Sequence, residues 1–283
     1  MKNARYRFPE QAAPMWKAVL RVARSFELVP MEAARPQSLW PVLGLAKRVS
    51  SLARAIGVLA SEQLWSEAVV QMRVLIEAQL LIEWMLKEPE SRCAVYAAGI
   101  NEEEVRLLKK LNSSGAVTFQ ILSDPSLYDA VSDKVQNSRA DRRPDLRRIA
   151  LEADDEESYD TGYWIASAFV HNHPLALMKY CRAFVDVSQA LEGFFSEEFL
   201  SYIVMYGSVT CVLHPLQAVD EKLGLDLKPG LDRAWELFHA ATVTESEGVL
   251  KYSTEIGPDD MLVGDKVYTT RRRGAPIGKR RET

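Results

Sequence analysis

Cysteine is scarce in this 283-residue chain: Cys93, Cys181 and Cys211 stand far apart, with no CxxC pair and no Cys/His cluster around them. An odd number at such spacing excludes a disulfide framework and a structural zinc site, so no metal or cofactor is expected and a cytoplasmic location is the simplest one. A P-loop, a dinucleotide fingerprint, an HExxH helix and an EF-hand loop are all missing as well. Basic excess is missing too. With Lys+Arg at 35 and Asp+Glu at 39, the net charge is −4 and the sequence pI about 5.7. Attraction of a polyanion by the whole molecule is thereby excluded, and any nucleic-acid contact must come from local patches.

The opening MKNARYRFPEQAAP carries positive charge with no apolar stretch behind it, so a secretory signal is not expected. Long apolar runs are few. From Phe199 to Val219 there is no Asp, Glu, Lys or Arg, and roughly 20 apolar residues suffice to cross a bilayer. Yet the run contains Ser201, Tyr202, Ser208, Thr210, His214, Pro215 and Gln217. The expectation is a core helix of a soluble protein, with no membrane as partner.

What is present is an ordinary globular composition, 47% hydrophobic and 26% charged. Helical periodicity dominates it. Met15, Val19, Val22 and Phe26 fall on one face of residues 10–27. A second helix runs to about residue 61 after Pro36 and Pro41. A third, AVVQMRVLIEAQLLIEWMLK, is rich in good helix formers and stops before Pro89. Further helices are expected over 90–112, from Asp124-Pro125 to 137, through YWIASAFVH to Pro174, and over 175–192, 197–222 and 230–241. The fold class expected is all-α: one helical domain over 1–245. Residues 246–283 follow, with a small hairpin from VLKYSTE and DKVYTT and a disordered basic tail, RRRGAPIGKRRET.

Two polar stripes interrupt apolar faces. On the third helix Val69, Val70, Arg73, Ile76, Glu77, Leu80, Leu81 and Trp84 share one broad face, so Arg73 and Glu77 lie inside an apolar stripe. A buried arginine costs several kcal/mol unless paired, which makes a carboxylate one turn away physically sensible. Such a pair either locks helix register or belongs to a ligand or catalytic site. On the helix ending at HNHP, Tyr163, Ser167 and His171 are spaced by four and stack along one side. A hydroxyl, a serine and an imidazole in line can form a hydrogen-bond chain, and histidine titrates near neutrality. They can equally be core polar groups satisfied by Arg73 and Glu77. A triad of Ser167, His171 and Glu77 has the right residue types, but nothing resembles the G-x-S-x-G elbow that presents a strained serine.

The helix EAVVQMRVLIEAQLLIEW, followed about 80 residues later by YWIASAFVHNHP, resembles HEPN-type all-α domains, in particular a bacterial branch of unknown function. The resemblance covers roughly 38–176. It implies a helical bundle whose polar centre, Arg73, Glu77, Tyr163, Ser167 and His171, is the catalytic set. Many HEPN proteins are metal-independent RNases of stress response, toxin–antitoxin pairs and phage defence, often completed across a dimer. By that resemblance RNA is the expected substrate, an antitoxin or other protein a possible partner, and a homo-oligomer (a dimer) the expected state. The alternative is a non-catalytic helical interaction or regulatory module. HEPN RNases place an Arg four to six residues before a His, and no Arg precedes His171 at that spacing. Arg233 to His239 (RAWELFH) does match, but with 22 arginines and four histidines about one match is expected by chance.

Two basic patches complete the inventory. RADRRPDLRR (139–148) and the terminal RRRGAPIGKRR could contact phosphates with salt-sensitive affinity. The acidic run EADDEESYD follows the first closely and neutralises it, and neither patch has the interleaved aromatics of a single-strand binding platform.

Overall fold

A computed structural model describes residues 12–99, 144–170, 197–253, 260–263 and 266–269. The fold is an all-α bundle. Helix α1 (Ala12–Leu28), α2 (Trp40–Ser61) and α3 (Trp65–Lys87) pack in sequence, and a further helix, α4, occupies 89–99. Then come α5 (Leu146–Ala153), a π-helical turn (Ser158–Tyr163) and α6 (Trp164–Val170). Helix α7 (Glu197–Tyr202) runs through a second π turn (Ile203–Gly207) into α8 (Ser208–Leu223), and α9 (Lys228–Ser253) follows.

Local chemistry accounts for the boundaries. The face of α1 that the periodicity selects is buried: Met15, Val19, Val22 and Phe26 are each at most 4% exposed. Pro41 sits in the first turn of α2, where its missing N–H costs nothing. Helix α3 has Glu67 in its first turn and Lys87 in its last, both favourable to the helix dipole. Helix α8 closes on Gly224 at φ +62°, whose N–H reaches the Asp220 carbonyl at 2.8 Å.

Helix α3 is the centre of the bundle. It packs against α2, α5, α6, α8 and both π turns. Trp65, Leu75, Ile76, Leu80 and Ile82 on it are essentially without exposed surface, and each such side chain contributes about 1.5–3 kcal/mol by leaving water. The apolar stretch forms a helix from Phe199 to Leu223, long and apolar enough to cross a membrane, with 67% of its most apolar window buried in the bundle.

Two expectations are corrected. Residues 249–253 of VLKYSTE belong to the end of α9, not to a strand. The hairpin pairs Asp260–Val263 (β1) with Lys266–Thr269 (β2), antiparallel, with Val263 opposite Lys266. DKVYTT thus supplies one strand as expected, and the other comes from DMLV. The chain also turns helical earlier than expected after Pro144. Asp145 caps α5 by accepting the Arg148 backbone N–H at 2.9 Å. The expected helices over 124–137 and 175–192, and most of that over 90–112, lie outside the described residues, as does the basic tail.

Candidate polar site on helix α3

Arg73 stands midway along α3, between the buried Val69 and Ile76. Its Nη2 donates to the Tyr163 hydroxyl at 2.8 Å, and its guanidinium lies over the Tyr163 ring, 5.0 Å from the centroid. Tyr163 ends the first π turn and stacks on Tyr159 at 5.1 Å with 13° between ring planes. The wide turn delivers both tyrosines to the same side, a geometry often found at functional positions. Gly162 lets that turn approach α3 closely, for a Cβ there would stand 3.0 Å from Ile76 Cδ1.

Glu77 is only loosely engaged. Its Oε2 lies 3.6 Å from Arg73 Nη1, with the two side chains 24% and 29% exposed. That is an ion pair beyond hydrogen-bonding distance. Arg73 Nε is buried and finds no acceptor among the described residues. An arginine offers five N–H donors, and this one has donors to spare. Ser167 Oγ is also buried without a partner among the described residues, so it is neither back-bonded to its own helix nor in contact with Glu77. The structure therefore brings Arg73, Glu77 and Tyr163 together, while Ser167 forms no hydrogen bond to any of them. His171 and His173 lie outside the described residues.

The chance match of Arg233 with His239 is not a site. Arg233 pairs with Glu236 at 2.8 Å and faces a cleft between α1 and α9, whereas His239 faces a groove between α8 and α9. In the first basic patch, Arg148 is tied to Glu152 of the acidic run at 2.9 Å.

A second polar cluster lies further along α3. Gln79, 5% exposed, donates through Nε2 to Glu83 Oε1 at 3.1 Å and to Asp155 Oδ2 at 2.9 Å. Burial, then the adjacent Asp155 carboxylate, pushes the Glu83 carboxyl up to about 7. Near neutrality Glu83 can therefore gain or lose its proton. Asp155 also borders a cleft of about 380 Å³, walled by Met72 and Ile76 of α3, by Ser158, Thr161 and Gly162 of the π turn, and by Tyr202, Gly207, Thr210 and Cys211. The only signal in sequence was the i,i+4 spacing of Gln79 and Glu83; the partner carboxylate sits 76 positions from Gln79. Burial raises the Cys211 thiol to about 12 and the Cys93 thiol to about 11, so both stay protonated and inert. Among the described residues no group of three or more His, Cys, Asp or Glu could hold a metal ion.

A family model described as "Family of unknown function (DUF5677)" matches residues 39–187, which contain α2, α3, both tyrosines of the π turn and α6. No curated protein and no solved structure matches the chain.

Proposed function

We propose, for a chain that belongs to the family DUF5677, that it is a HEPN-like effector acting on RNA in stress or phage defence. In this reading Arg73 is the group that meets the phosphate. The state of that guanidinium carries the proposal. It is held on one side by the Tyr163 hydroxyl and ring, has its carboxylate neighbour at 3.6 Å, and keeps a quarter of its surface exposed. A purely structural buried arginine is normally closed by a short, bidentate carboxylate. One that is oriented but not neutralised suits a phosphoryl oxygen, where it would stabilise charge developing at phosphorus. Tyr163 and Glu77 are positioning residues in this scheme. The proton of the ribose 2′-hydroxyl falls to an imidazole, assigned by the HEPN resemblance to His171. Trp164, 62% exposed beside Tyr163, suits the face of a second copy completing the site.

The test is expression of wild type, Arg73→Ala and His171→Ala in bacterial cells, scored for growth and RNA integrity. Wild type should arrest growth and cleave RNA, and both variants should be harmless while melting within about 3 °C of wild type. A wild type that leaves growth and RNA untouched would falsify the effector reading. The stacking of Tyr163 on Tyr159 favours a second reading, an interaction module in which Arg73 merely buttresses the π turn. Arg73→Ala would then lower the melting temperature by several degrees and change nothing else.

A further inference from the structure

Helices α8 and α9 enclose a groove of about 600 Å³ that the Arg73 site does not use. Its walls are His214, Gln217 and Glu221 from α8 and Trp235, Phe238 and His239 from α9. Trp235 is the hub. His214 meets it edge-on at 4.7 Å, Phe238 edge-on at 5.6 Å, and His239 lies nearly parallel at 5.8 Å. The indole is fixed by a hydrogen-bond relay: Trp235 Nε1 donates to Gln217 Oε1 at 2.9 Å, and Gln217 Nε2 donates to Glu221 Oε1 at 2.9 Å.

The charge of the groove is one-sided. Among the described residues Glu221 is the only Asp, Glu, Lys or Arg lining it, and it forms no salt bridge there. Of the α9 cations, Lys228, whose charge also feels Glu221, is bound by Asp232 at 2.7 Å, and Arg233 by Glu236 at 2.8 Å. Desolvation holds the His214 imidazole below the usual histidine range, against the pull of Asp155, which disfavours a positive charge on that ring. Aromatic faces around a single carboxylate are complementary to a cation, above all to a planar guanidinium that can stack and hydrogen-bond at once. The same lining repels phosphate. A single-strand binding channel needs the opposite sign.

We propose that this groove is an arginine-binding site and that its occupant is the arginine-rich segment 271–283 of this chain. Charge complementarity and chain length are the arguments. RRRGAPIGKRRET puts Arg271, Arg272, Arg273, Lys279, Arg280 and Arg281 against one acid, Glu282. From Ser253, the last residue of α9, back to Trp235 is about 27 Å along the helix axis. The connection over 254–259 spans up to roughly 20 Å when extended, and 270–283 up to roughly 47 Å. An antiparallel ribbon between them returns the chain toward where it entered. The reach suffices without unwinding α9.

The test uses the full-length chain with the six tail cations replaced by serine and a fluorescently labelled peptide of sequence RRRGAPIGKRRET, followed by anisotropy. The peptide should bind this variant, and bind the wild-type chain, whose own tail competes, at least tenfold more weakly. Glu221→Gln keeps the Gln217 relay and sits on the surface, so the fold is not at risk; it should weaken the peptide tenfold or more. Trp235→Phe, checked by thermal melting, should weaken it severalfold. No binding, or binding indifferent to both substitutions, overturns the proposal. So does a single-stranded RNA that occupies the groove with the same dependence on Glu221 and Trp235.

Discussion

The middle and the C-terminal end of α3 carry polar clusters of similar composition and opposite completeness. At the C-terminal end, Trp84 is 3% exposed, and its indole N–H donates to Glu152 Oε2 at 2.8 Å. Arg92 covers the same indole at 5.2 Å and donates to the Trp84 carbonyl at 3.0 Å and to Glu88 at 2.9 Å. Arg148 closes the set on the other Glu152 oxygen. The Trp84 hydrogen bond, then that of Arg148, holds the Glu152 carboxyl below the usual range. At the middle of the helix, Arg73 has an aromatic partner and a distant carboxylate, with one donor unspent among the described residues. Both clusters join α3 to the segment after residue 144. The closed one is what a structural knot looks like, and the open one has capacity left for a ligand.

The largest effect should come from breaking the knot. Trp84→Ala removes a buried indole, together with its hydrogen bond to Glu152 and the ring under Arg92, a loss of about 3–5 kcal/mol. For a domain of this size the melting temperature should fall by roughly 6–20 °C in calorimetry. Arg73→Ala, which empties a position with a quarter of its side chain exposed and no short carboxylate partner, should cost far less. Equal losses at the two sites would erase the distinction drawn between them.

A middle-sized effect with a pH signature is expected from Glu83, between the two clusters. Its carboxyl rises from 4.5 to about 7 on folding, so the folded chain holds that proton more tightly than the unfolded chain does. Stability therefore falls as pH rises from about 4.5 through about 7 and then levels off. The penalty at pH 8 is on the order of 2–3 kcal/mol, allowing for partial solvent screening. Glu83→Gln should remove it, raising the melting temperature at pH 8 by several degrees and leaving it nearly unchanged at pH 4. A variant whose advantage is the same at both values would show that Glu83 does not titrate as its burial implies.

How much of this was legible in the chain depended on range. Helices α1 to α3 were readable almost to their ends because apolar period, Pro41 and Pro89 are local signals. The Arg73–Glu77 pair was readable for the same reason, being one turn apart. Helix α5 was not: five arginines around Pro144 concealed the Asp145 cap that starts it. Nor was the Gln79–Glu83–Asp155 cluster, whose members meet only because α5 ends in a left-handed Asp154 that turns the chain back onto α3. Hairpin register failed because VLKYSTE alternates like a strand while its first residues continue a long helix. Tertiary context outweighed β propensity there.

The smallest stability effect should be the most informative about function. Tyr163→Phe keeps the ring under Arg73 and its stack on Tyr159 but deletes the 2.8 Å hydrogen bond. A part-buried hydrogen bond of this kind contributes about 1 kcal/mol, so melting should shift by no more than about 2–4 °C. The guanidinium, however, loses the contact that fixes its rotation, and misplacement of a phosphate contact by an ångström can cost on the order of 10²-fold in rate. RNA cleavage in the expression assay should therefore drop steeply in a protein that is nearly as stable as wild type. Activity that tracks the small stability change instead would make Tyr163 a packing residue and return the open cluster to the same class as the knot at Trp84.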